Sequence, residues 1–71
     1  MSNIQRLAAE GGKNHRIFAA TVVDLMHSQG FYDRLYRAIN EMTDESYNNL
    51  YNQLSSQNFN NPLDVIFWLE C

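Results

Sequence analysis

Three glycines and one proline are the only residues in this 71-residue chain that break a helix outright, and they sit at Gly11, Gly12, Gly30 and Pro62. The segments between them are long enough for helices, and Ser2, Asn14, Thr43 and Asn61 are placed to cap helix starts. No linker rich in Pro, Gly or Ser interrupts them, and no internal repeat is present. A chain this short has room for a single core. The expectation is one domain, residues 1–71, with an all-α fold: a compact mini-bundle of four to five short helices.

The segments read as follows. Ser2 to Glu10 is a first helix, with Ser2 and Gln5 in capping-box spacing and Ile4, Leu7 and Ala8 on one face. Gly11–Gly12 closes it through positive-φ backbone. Asn14 to Gln29 is a second helix, capped by Asn14 and followed by Gly30 at its C-terminal end. Its apolar residues cover most of its circumference, which places it at the centre of a core or against a partner. Phe31 to Met42 is a third helix, with Leu35, Ile39 and Met42 on its stripe and Asp33 and Arg37 as an i, i+4 pair. Thr43 to Leu54 is a fourth, with Thr43 as cap and Tyr47, Leu50, Tyr51 and Leu54 in helical register. Phe59 plugs the core from the connector. Asn61 and Pro62 start the last helix, for which a strand over Val65–Leu69 is the alternative.

Charge is divided along the chain. Residues 1–37 hold all five cations and three anions, for a net charge of +2, whereas residues 38–71 hold five anions and no cation. Helix-end placement accounts for this pattern. The alternative is a two-faced surface that prefers a basic partner on its acidic side. No apolar run is long enough to span a membrane, and residues 1–10 lack the apolar stretch of a secretory signal. With one cysteine, Cys71, no internal disulfide can form, and the cytoplasm is the expected compartment.

Enzyme signatures are missing. There is no glycine-rich phosphate loop, no Gly-x-Ser-x-Gly and no His-Glu-x-x-His. His15 and His27 lie about 18 Å apart on a straight helix, too far to share a metal ion. His27, three residues from Asp24, reads as a surface histidine near its own helix end, and Cys71 as a frayed terminal thiol. No enzyme activity, cofactor or metal is therefore expected.

Binding is what remains. Nine aromatics serve a small core. Phe18, Phe31, Phe59, Phe67 and Trp68 suit its interior, while Tyr32, Tyr36, Tyr47 and Tyr51 have the polar tips of interface residues. Together with the acidic turn of Glu41, Asp44 and Glu45, these tyrosines form the expected protein-binding surface. The uncharged face of Asn48, Asn49, Asn52 and Gln53 is a second candidate. A homodimer through the second helix would use Phe18, Val22 and Met26. Nucleic-acid binding through a helix–turn–helix-like pair would use Lys13, Arg16, Arg34 and Arg37, but an acidic chain with five cations starts at a disadvantage against phosphate.

The leading expectation is a non-enzymatic inhibitor or adaptor that binds a host protein or protein complex stoichiometrically. Acidic helical chains of this size without catalytic motifs are common among phage and mobile-element products, anti-CRISPR proteins among them, which act in the host cytoplasm. A small DNA-binding regulator and a structural subunit of a larger assembly are the alternatives.

Overall fold

Ser2 opens the molecule as a capping residue should. Its Oγ accepts from the Gln5 N–H at 3.2 Å, and Gln5 Oε1 accepts from the Ser2 N–H at 3.0 Å. Helix α1 (Asn3–Glu10) follows. The computed structural model describes residues 2–71; Met1, the first residue of the expected domain, lies outside them. Helix α2 spans Lys13–Ser28, a 3₁₀ turn spans Gly30–Tyr32, and α3 spans Asp33–Asn40. Helix α4 spans Asp44–Ser55 and α5 spans Pro62–Glu70. The fold is an all-α mini-bundle, with no strand among the described residues. Residues 65–69, the stretch that left strand open, are helical because Asn61 Oδ1 caps the Asp64 N–H and Pro62 fills the first helical position.

Several helix ends differ from the sequence reading in position or in what forms them; three have a clear local reason. No described residue has a positive φ, so the glycine pair does not close α1 by a left-handed turn. Gly11 answers a need for closeness instead: a Cβ there would overlap the Cβ and Cγ of His15 and lie 2.7 Å from the Leu7 carbonyl. Asn14 is not the cap of α2. Gly12 holds that position, and its N–H donates to His15 Nδ1 at 3.0 Å. The third helix starts at Asp33 rather than Phe31, because Tyr32 N–H bonds the Gln29 carbonyl in a tighter 3₁₀ turn.

Helix α2 is the hub. It touches α1, the 3₁₀ turn, α3, α4 and α5. Its apolar residues point in several directions because it has neighbours in several directions. Phe18, Ala19 and Val22 are buried with Ile4, Leu7, Ile39, Tyr47, Leu54, Phe59 and Val65 in one cluster. Trp68 closes it with its ring edge-on to Phe18 at 5.8 Å and to Phe59 at 6.0 Å. This corrects the expected dimer interface. Phe18 and Val22 are 1% and 0% exposed within a single chain, and Met26 is half-buried, so the first two have no surface to offer a second copy.

Two asparagine clasps fix the helix ends. Asn3 Nδ2 donates to the Ile39 carbonyl at 2.7 Å and the Met42 carbonyl at 3.3 Å, while Asn40 Oδ1 accepts from the Ile4 N–H at 3.0 Å. Each side chain bonds backbone groups at or just beyond the end of the other helix, where intrahelical partners run out. Asn14 does the same for α4, donating to Leu54 and Gln57 carbonyls at 3.1 and 2.7 Å and accepting from the Phe59 N–H at 3.1 Å. The radius of gyration is 11.1 Å, against about 11 Å for a folded chain of this length. The accessible surface of 4560 Å² is likewise close to the roughly 4,600 Å² of a folded monomer of this mass.

Candidate functional site

The residues singled out in the sequence do not form one surface. Tyr47 belongs to the core at 3% exposure. Its ring lies under the Arg6 guanidinium, 4.0 Å from carbon to centroid. Its hydroxyl is buried without a hydrogen-bond partner among the described residues. Burial pushes the Tyr47 pKa above the ordinary tyrosine value; Arg6 opposes that shift, and Glu10 and Tyr51 add to it. Tyr51 is half-buried against His15, ring centroids 4.2 Å apart, near the N-terminal end of α2. Tyr32 sits beyond the C-terminal end of the same helix, with its ring 4.4 Å from that of Phe31. Some 20 Å of helix separates the two positions. Tyr36 is half-buried beside the core. Glu41, Asp44 and Glu45 are exposed at the α3–α4 turn, where Asp44 meets Arg6 at 3.7 Å. Asn48, Asn49, Asn52 and Gln53 are exposed along α4.

The cations proposed for nucleic acid are exposed, but Arg37 is engaged by Asp33 at 2.9 Å. That leaves Arg34 as the unpaired cation of α3 among the described residues, with Lys13 and Arg16 on α2.

One polar cluster has the residue types of a catalytic site and not its chemistry. His15 is 4% exposed. Its Nδ1 accepts from Gly12 N–H, so in the neutral ring the proton is on Nε2. That proton faces the Tyr51 carbonyl at 3.0 Å and Ser55 Oγ at 3.2 Å. Ser55 in turn donates to the Tyr51 carbonyl at 2.9 Å. A ring that donates toward Ser55 cannot take its proton, so the serine is not an activated nucleophile. His15 joins the start of α2 to the end of α4. Among the described residues, no group of three His, Cys, Asp or Glu side chains is placed to hold a metal ion, and no helix is long and apolar enough to cross a membrane.

The surface that stands out lies on α5. Only Val65 of this helix is fully buried, with Trp68 and Leu69 packed partly against the core. Leu63 and Phe67, four residues apart on one face, are 61% and 67% exposed. Phe31, in the 3₁₀ turn, is 71% exposed. Phe31 and Phe67 were expected inside. Phe31 falls outside because its turn lies beyond the end of α2. Phe67 does so because α5 is apolar on more sides than the bundle can cover. The sequence carried that signal in Leu63, Val65, Ile66, Phe67, Trp68 and Leu69, but α2 carried a similar one. No protein-family model, curated protein or solved structure matches the chain.

Proposed function

We propose that this chain is a non-enzymatic protein-binding module that acts stoichiometrically on a protein or protein complex. The observation that carries this reading is the outward pair Leu63 and Phe67 on α5. Large apolar side chains left on one face of a nearly all-apolar helix fit burial against another protein. Phe31 offers a further apolar contact. Within this class, the finer reading is an inhibitor or adaptor of phage or mobile-element type, acting on a host defence complex such as a CRISPR effector in the host cytoplasm. Its support is the small size and acidic balance of the chain.

The test compares the wild-type chain with a Leu63→Ser, Phe67→Ser variant as bait in cell lysate, with circular dichroism confirming that both are helical. The expected result is one protein or complex recovered in stoichiometric amount by the wild type and lost by the variant. Recovery of no partner, or equal recovery by both, would overturn the reading.

A further inference from the structure

The outer face of α2 carries a ridge of three exposed residues at four-residue spacing: Arg16, Ala20 and Asp24. Among the described residues, neither charge is in an ion pair. The polar contact of the Arg16 guanidinium is with the Gly11 carbonyl, at 3.5 Å. The two side chains start about 12 Å apart along the axis, too far to meet each other. Both are also placed against their own helix. Arg16 lies about one turn from the positive N-terminal end of α2, and Asp24 about one turn from the negative C-terminal end. A shallow groove runs on each side of the ridge, of about 350 and 340 Å³. The first has an apolar floor that includes Ile4, Ala8 and Val23. The second is bounded by Ile17 and Pro62.

We propose that this ridge is a self-association surface on which a second copy of the chain docks through its own α2, antiparallel, about a two-fold axis at Ala20. Four residues of helix are about 6 Å, so the axis sets Arg16 of each copy opposite Asp24 of the other. The charge pattern is therefore self-complementary: one operation satisfies both unpaired groups twice. It also brings each charge toward the end of the neighbouring helix whose dipole favours it. Ala20 at the axis leaves room for the helices to approach. The surface is distinct from the outward pair Leu63 and Phe67, so the dimer and the proposed partner binding stand or fall separately.

The experiment is charge reversal read by sedimentation equilibrium over a range of concentrations, at low and high salt. The wild type is expected to dimerise reversibly and more weakly as salt rises. Arg16→Asp alone and Asp24→Arg alone each place like charges across the axis, and each is expected to weaken the dimer at least tenfold. The double variant Arg16→Asp, Asp24→Arg restores both pairs and is expected to dimerise again. The reversed charges agree with the α2 dipole, so the double variant keeps its helical circular dichroism. A wild type that is monomeric throughout, single variants that dimerise as well as the wild type, or a folded double variant that does not recover would each overturn the proposal.

Discussion

Tyr47 concentrates the tensions of this molecule in one side chain. Its ring supports the core and carries Arg6 on its face, while its hydroxyl is buried without a partner among the described residues. A buried donor left unsatisfied costs about 1–3 kcal/mol, and removing it with its shape preserved recovers part of that. Tyr47→Phe is therefore expected to raise stability by about 1 kcal/mol, measured by urea unfolding near neutral pH. The same burial sets a pH dependence. The native state holds the phenol neutral beyond the ordinary tyrosine range, so the unfolded chain loses its proton first. The stability this contributes is fully present below the ordinary tyrosine pKa. It is lost as pH rises through that value toward the raised one. Tyrosinate absorbance should show a tyrosine ionising late, and Tyr47→Phe should flatten the alkaline loss of stability. Tyr47 was legible from sequence as a helix-face aromatic. Its depth was not, because spacing gives the face and not how closely other elements cover it.

At the scale of elements, the ends of helices matter as much as their faces. Asn14 holds the Leu54 carbonyl of α4, the Gln57 carbonyl just beyond that helix and the Phe59 N–H through three hydrogen bonds. Asn14→Ala is expected to cost about 2 kcal/mol, since it removes three part-buried hydrogen bonds at once. For a domain of this size that is a fall in melting temperature of about 10 °C. Asn49→Ala, on the exposed face of α4, is the control and should change it little. Caps within one helix, such as Ser2 with Gln5, Thr43 with Ser46 and Asn61 with Asp64, were readable because donor and acceptor are three residues apart. The clasps of Asn3, Asn14 and Asn40 join residues 36 to 45 apart, and no local pattern announces them.

For the whole molecule, the decisive contrast is between two apolar helices. Helix α2 meets neighbours on most of its sides and leaves only the ridge of Arg16, Ala20 and Asp24 in the open along its middle, whereas α5 is covered on one side. Val65 faces inward, so Val65→Ala should cost about 2 kcal/mol from lost burial and the cavity left behind. Leu63→Ser with Phe67→Ser should change stability by no more than about 0.5 kcal/mol, since both side chains already face water. Denaturant midpoints of the two variants against wild type check the pair. By itself, the sequence determined the helical class, a count of four to five helices and most of their caps, because these rest on periodicity and contacts within a few residues. Tertiary structure alone decided which apolar surface is left over. The hydrophobic effect rewards burial without regard to which partner provides it. Two helices that both carry more apolar residues than a single stripe needs therefore part ways only when the chain folds and one of them takes the centre.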